Sequence, residues 1–285
     1  MKKIMIKGFF FGISLFLVSS NLSFSQTPDS TLLLDELIQK VLEQNPELMA
    51  SNKDWDASKT KISQVKALPD PTLGLNIMNL PVNSFALDQE PMTGKQVSLM
   101  QPFPFPGKLS LKGDIAKSES EIALHRYREL KNQLIKNTSQ AYFDLYYIDQ
   151  ALATVANNQE LLKEFVEIAE TRYGVGKGTQ PDVLRAQVAL SKMIDQELKL
   201  LQQREAVQAR INTLLNDPAD SPLGKAVVME PEPWTGKLQT LIQRADSSSP
   251  VLAAWKTAVK QSGQKVDLAL KDRYPDFSVG VAYTQ

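Results

Sequence analysis

The chain of 285 residues contains no cysteine, which removes disulfides, thiolate metal sites, cysteine nucleophiles and a lipid-bearing cysteine in one step. It contains one histidine, His125, in the run His-Arg-Tyr-Arg-Glu, where a solvated or inter-helix side chain is expected. A single histidine and scattered methionines make no metal site. Net charge is also missing, since 32 basic residues balance 32 acidic ones, so no field draws the chain to nucleic acid. No apolar run approaches the roughly 20 residues that a membrane-crossing helix needs. Nor does any carboxylate pair, His/Cys pair or Ser/His/Asp set stand out from the charges of the helices. The expectation is a protein that is not an enzyme, with no catalytic residue, cofactor or resident metal.

What is present begins with an export signal. Lys2, Lys3 and Lys7 precede an apolar run from Gly8 to Val18 and the small-residue end Ser23-Phe24-Ser25, so residues 1–25 read as a cleaved secretory peptide. If the exported protein enters a membrane, it must do so as β-barrel strands.

Proline is absent from Lys108 to about Arg172, and Gly113 is the only glycine there. Apolar or small residues recur in steps of three and four at Tyr127, Leu134, Thr138, Ala141, Leu145, Ile148, Leu152, Val155, Leu162, Val166, Ala169 and Tyr173, with Gln159 a polar lapse. A helix of about 65 residues would be on the order of 100 Å long, so the molecule must be elongated. The glycine-rich stretch Arg172-Tyr-Gly-Val-Gly-Lys-Gly-Thr-Gln-Pro then interrupts it. It is no phosphate loop, because Thr171 stands at the first glycine position, Gly178 follows Lys177, and a charged helix precedes it instead of a strand. Beyond it Val183, Ala186, Leu190, Met193, Leu200, Val207, Ile211 and Leu214 continue the seam to about Asn216, with Glu197 and Arg204 as lapses. Residues 108–216 are therefore expected to form an antiparallel coiled-coil hairpin of unequal arms, the short arm leaving about half of the long one bare. A helix from Asn45-Pro46 to about Ala67 would cover the rest.

Strand patterning appears between these helices. Leu73, Leu75 and Ile77 alternate with Gly74, Asn76 and Met78, and Val97 and Leu99 with Gln96, Ser98 and Met100, which predicts membrane strands over 72–80 and 95–103 joined by a loop from Pro81 to Gly94. Pro102, Pro104 and Pro106 are expected to end the second strand, because proline cannot donate to a ladder.

Shifting the chain on itself by 204 residues aligns Leu37-Ile-Gln-Lys40 with Leu241-Ile-Gln-Arg244, and Pro46, Leu48, Lys61 and Pro71 with Pro250, Leu252, Lys265 and Pro275, without a gap. This divides the chain into two repeats, over 26–218 and 219–285. The second stops at Gln285 within its first strand, which leads us to expect a fragment or an interrupted reading frame, without channel activity of its own.

Asn45-Pro-Glu-Leu48, Pro69-Asp-Pro71, Gln101-Pro-Phe-Pro-Phe-Pro-Gly-Lys108, the tip pattern around Arg172, Gly176, Thr179, Asp182 and Leu184, and the internal repeat together resemble the outer-membrane efflux protein family, the TolC-like channels. The resemblance implies a mainly α fold, in which a long antiparallel coiled-coil hairpin is joined to transmembrane β-barrel strands in two internal repeats, the second incomplete here. It implies a homotrimer in the outer membrane, each protomer giving four strands to a twelve-stranded barrel above a periplasmic helical tunnel. The implied function is the passive exit duct of a tripartite efflux pump, docked to a periplasmic adaptor and through it to an inner-membrane transporter. Adaptor docking falls, by resemblance, on Arg172, Gly176, Thr179 and Asp182, while aperture-closing residues belong to a second hairpin. The Phe-Pro-Phe-Pro-Gly-Lys segment is most similar to the heavy-metal branch, but no metal-ligand cluster supports a metal cargo. The competing expectation is a periplasmic coiled-coil scaffold without a pore, which would be soluble without detergent.

Overall fold

The computed structural model describes residues 31–80, 92–227, 233 and 235–285. The expected export signal and most of the loop between the first two membrane strands lie outside the described residues.

The chain starts with β1 (Thr31–Leu32), α1 (Leu34–Gln44) and α2 (Pro46–Lys66), then β2 (Thr72–Met78) and β3 (Gly94–Phe103). The long helix α3 (Lys108–Gly174) has 67 residues, about 100 Å at 1.5 Å per residue. It turns into α4 (Gln180–Leu215), which returns along its outer half as the seam predicts. A two-residue strand β4 (Lys225–Ala226), the helices α5 (Leu238–Ser248) and α6 (Pro250–Lys271), and β5 (Phe277–Thr284) complete the chain.

The sequence reads one helix at Asn45-Pro46, and the structure has two. A residue before proline is pushed out of the helical region, and Asn45, at φ −69° and ψ 117°, breaks α1 from α2 in this way. Its side chain then caps α2, Oδ1 accepting from Leu48 N at 3.1 Å. The same device recurs one repeat later, where Ser249 precedes Pro250 and its hydroxyl accepts from Leu252 N. A shift of 204 residues carries Leu34–Gln44 onto Leu238–Ser248, so the repeat holds for this missed helix as well.

The hairpin seam is buried at Leu134, Thr138, Ala141, Leu145, Ile148 and Val155, and becomes half-buried towards the tip, where Tyr173 is exposed rather than covered. The three polar lapses are filled across the hairpin. Gln159 donates to Met193 O at 3.2 Å and to Glu197 Oε2 at 2.8 Å, and Arg204 Nε donates to Asp149 Oδ1 at 2.8 Å. Such pairs fix register, because a slip of one turn would strand a polar group against the seam.

The inner half of α3 carries α2 along it, as expected, with Trp55 stacked on Tyr127 at 6.4 Å between centroids and Lys61 facing Glu119. It also carries α6, which the sequence did not place there. Ser118 Oγ donates to Gln264 Oε1 at 2.8 Å, and Gln261 Nε2 to Ile115 O at 3.3 Å.

The best-packed core lies where α1, α2 and the end of α4 meet the middle of α3. Leu37, Val41 and Leu48 close there on Leu134, Ala141, Tyr142, Leu145, Ile211 and Leu215. The parallel bridge of β1 with β4 seals it, and Tyr142 Oη sits between them, 3.0 Å from Leu32 O and accepting from Val227 N at 3.0 Å. Asn212 Nδ2 donates to Ala219 O and Ser221 O, fixing the exit from α4.

The three larger strands form one antiparallel sheet in the order β2-β3-β5. The strand β3 ends at Phe103, where the sequence places its end, and Pro102 within it pairs with Ser278. The pairing of β2 with β3 has already ended at Thr72 and Met100, so no ladder bond is required of Pro102 on that side.

Candidate functional site

Two regions stand apart from the packed body: the hairpin tip and the sheet, at opposite ends of α3.

At the tip α3 ends through overlapping turns. Val175 N donates to Thr171 O, Gly176 N to Tyr173 O and Lys177 N to Arg172 O, the last at 2.8 Å. Gly176 has φ +71°, the left-handed conformation that favours glycine, and nothing lies within 4 Å of where a Cβ would stand. Thr179 starts α4. Its hydroxyl donates to Asp182 Oδ2 at 2.6 Å and its N–H to the same oxygen at 3.3 Å, while Pro181 occupies the first turn. These bonds from Thr179, with Arg185 and Arg172 nearby, hold the Asp182 carboxyl below the ordinary carboxylate range. A lowered folded value means that this support is present above the unfolded pKa and lost as pH falls through the folded one.

All four sequence-expected residues thus sit within one turn-and-cap. Thr179 and Asp182 are bound to each other, Gly176 supplies the turn, and Arg172 uses its carbonyl there. The apolar side chains Val175, Leu184 and Val188 are exposed beside them, a feature the seam pattern did not flag because they lie off it.

In the sheet, strict alternation places Leu73, Leu99 and Val281 in one cross-strand row and Leu75, Val97 and Tyr283 in the next, all on one face. Each is between 47% and 75% exposed, so nothing covers this apolar face among the described residues. The other face carries Gly74, Ser98 and Ala282, then Asn76, Gln96 and Thr284.

Where sheet meets helix, Lys108 ties the two repeats together. Its side chain is only 7% exposed, and Nζ lies 2.9 Å from Asp276 Oδ1, 3.4 Å from Asp272 Oδ1 and 3.1 Å from Tyr274 O. Asp276 Oδ1 also accepts from Phe105 N at 2.7 Å, and Phe105 stacks on Tyr274 at 4.7 Å. Gly107, at φ +90°, makes the corner into α3. Sequence reasoning found Lys108 as a motif residue without a role. Its partners lie more than 160 residues away with no local signal.

Among the described residues there is no group of His, Cys, Asp and Glu fit to hold a metal ion, and no helix long and apolar enough to cross a membrane.

The sequence model of the family described as outer membrane efflux protein matches residues 37–217. No curated protein matches the chain. Among solved structures it is similar to the outer membrane protein VceC of Vibrio cholerae, with TM-score 0.68 and 19% identity over 88% of this chain and 62% of that one. The CmeC outer membrane channel of Campylobacter jejuni aligns with 100% of this chain and 65% of its own, at TM-score 0.70 and 17% identity. The open state of the MtrE outer membrane channel of Neisseria gonorrhoeae gives TM-score 0.61 and 15% identity over 88% and 62%. The chain thus spans less than two thirds of the length of these structures, and at such identities the likeness is one of fold. The matched segment runs from α1 through both arms of the hairpin to its exit, and the fold around it is that of the TolC-like channels: the chain belongs to the outer membrane efflux protein family.

Proposed function

We propose that the chain forms the outer-membrane exit duct of a tripartite efflux system, doing no chemistry itself. The observation that carries this reading is the bare apolar face of the β2-β3-β5 sheet. Burying that face in lipid removes Leu73, Leu75, Val97, Leu99, Val281 and Tyr283 from water, at about 25 cal/mol per Å² of apolar area. A water-filled interior would then meet Gly74, Ser98, Asn76 and Gln96. A soluble scaffold would leave the same face exposed to water. Because open strand edges are not tolerated in hydrocarbon, the sheet must be closed by further strands, and assembly of copies around a common axis, as in a homotrimer, brings further strands to its edges.

In this reading residues 1–25 are removed on export, 26–218 and 219–285 are the two repeats, and the helices stand in the periplasm. The hairpin tip, about 100 Å from the sheet, meets a periplasmic adaptor that links the duct to an inner-membrane transporter. Of the proposed contacts, Arg172 is the one whose side chain acts at the tip only through its charge, as the weakest of the influences on Asp182. Thr179, Asp182 and Gly176 hold the shape that presents it. Arg172→Glu therefore tests docking without removing the turn: adaptor cross-linking and export should be lost while trimer assembly and membrane insertion persist. Cross-linking and export equal to the parent chain would leave the tip as a turn only.

A further inference from the structure

The two repeats differ at the corner where helix meets sheet. A shift of 204 residues puts Ala67, Pro69 and Asp70 where the second repeat has Lys271, Arg273 and Tyr274, and Lys66, the last cation of α2, lies over Gly113 of α3 instead. The turn from helix to strand therefore does not require these three side chains. In the second repeat they join one stack. Phe105 lies on Tyr274 with 4.7 Å between centroids, Lys271 Nζ is 5.9 Å from the Phe105 ring, and the Arg273 guanidinium is 4.9 Å from that of Tyr274. Arg273 Nη2 also donates to Tyr274 Oη at 2.8 Å, and Lys271 Nζ to Pro106 O at 3.5 Å. Both cations are thus held in place, and among the described residues neither has a carboxylate partner. Asp272 and Asp276 face Lys108 instead. A groove of about 570 Å³ opens beside the stack, lined by Ser110, Leu111, Leu270, Lys271, Arg273 and Tyr274, with Asp267 its one carboxylate.

This corner stands at one end of the apolar face. Phe103 pairs with Phe277 there, and both are exposed on that face. From this row to Lys95, the charged residue at the far end of the same face, β3 runs about 27 Å at about 3.4 Å per residue. That is of the order of the ~25 Å apolar band of an outer-membrane barrel, so the groove lies at the level of lipid headgroups. Resting on the exit-duct reading above, we propose that the groove holds the phosphate of a glycerophospholipid from the bilayer leaflet on the helical side. Lys271 and Arg273 clasp the phosphate, and the acyl chains lie over Phe277 and Phe103. Arg273 presents a planar fork of donors to the phosphate oxygens, while Lys271 adds a point charge. A lipid held in this way fixes the height of the duct in the membrane.

Phosphatidylglycerol is the probe, titrated onto the full chain in a nonionic detergent and counted by native mass spectrometry. Lys271→Gln and Arg273→Gln should each weaken its binding about fivefold, and together about 30-fold. Lys95→Gln, at the opposite end of the same face, should leave it unchanged within about twofold. Circular dichroism of the double variant should match that of the parent, because the first repeat turns its corner without these side chains. Binding equal in the parent and in all three lysine and arginine variants overturns the proposal, as does a loss in Lys95→Gln equal to that in Arg273→Gln. Inorganic phosphate in large excess should not displace the lipid, and displacement would overturn the proposal in favour of a site for the free anion. Failure of the duct reading looks different. The chain has no cysteine, so Val97→Cys on the apolar face and Ser98→Cys on the other face can each be labelled alone in phosphatidylglycerol vesicles. Equal rates with a water-soluble maleimide would mean that no lipid covers the apolar face, which removes the reading, and the proposal with it, whatever the groove binds in detergent.

Discussion

The two repeats give the same helices and opposite fates to their apolar residues. Leu37 and Leu48 are 1% and 4% exposed in the core around α3, whereas their counterparts Leu241 and Leu252 are 42% and 41% exposed. Helix boundaries, the proline at the first turn and the polar cap all repeat. Local structure follows from local sequence in both halves, but burial needs a second surface. In the first half that surface is Leu134, Ala141, Tyr142, Leu145, Ile211 and Leu215, supplied by α3 and α4. Among the described residues nothing equivalent stands against α5, and no residue of α5 or α6 is buried.

The strongest way to break this comparison is to truncate matched leucines. Leu37→Ala should cost about 3 kcal/mol, since a fully buried leucine loses transfer energy and leaves a cavity. Leu241→Ala should change stability by no more than about 0.5 kcal/mol. Read as local opening by hydrogen exchange, the first lowers protection of α1 amides by about 100-fold, and the second leaves α5 almost unchanged. Comparable losses in both would mean that α5 is covered as α1 is.

The caps offer a finer contrast. Asn45 is 7% exposed, caps Leu48 N at 3.1 Å and donates to Leu214 O at 3.2 Å, whereas the cap from Ser249 to Leu252 N is a single exposed contact at 3.4 Å. Asn45→Ala should cost about 2 kcal/mol, because a buried carbonyl also loses its donor. Ser249→Ala should cost about 0.5 kcal/mol, the low end for a helix cap. Equal losses in denaturant titration would show that packing around the cap adds nothing, and the distinction between the junctions would shrink to their leucines.

The same contrast separates what is legible in the sequence from what is not. Heptad spacing from Leu134 to Val155 and dyad spacing from Leu73 to Ile77 are local records of which face is apolar, and both arms of the hairpin and all three larger strands are legible from them. The offset of 204 residues makes the second half legible from the first. Whatever depends on a distant partner is not. The helix α1 escapes because its apolar pattern is short and stops at Asn45, where Asn45-Pro46 reads as the start of one helix rather than a break between two. The position of α6 along α3 depends on Ser118 meeting Gln264, and Lys108 meets Asp276, pairs that leave no periodic trace. At the tip, Arg172, Gly176, Thr179 and Asp182 stand out as a group, but their division into turn, cap and free side chain requires the bonds themselves.

The smallest expected effect sharpens the comparison most cheaply. Gly263 lies in the interior of α6, and nothing is within 4 Å of where its Cβ would stand. Gly113 on α3 has no such room, because a Cβ there would collide with the Lys66 side chain of α2. A glycine inside a helix costs about 0.5–1 kcal/mol relative to alanine, because its unfolded state is freer and its backbone is open to water. With empty space at position 263, Gly263→Ala should recover about that amount. Gly113→Ala should instead be neutral or destabilising, since Lys66 has to move aside. Thermal or denaturant unfolding of the two variants decides between the surfaces. A loss of stability in Gly263→Ala would mean that another helix approaches α6 closely at this point, and the second repeat would then be as fully packed as the first.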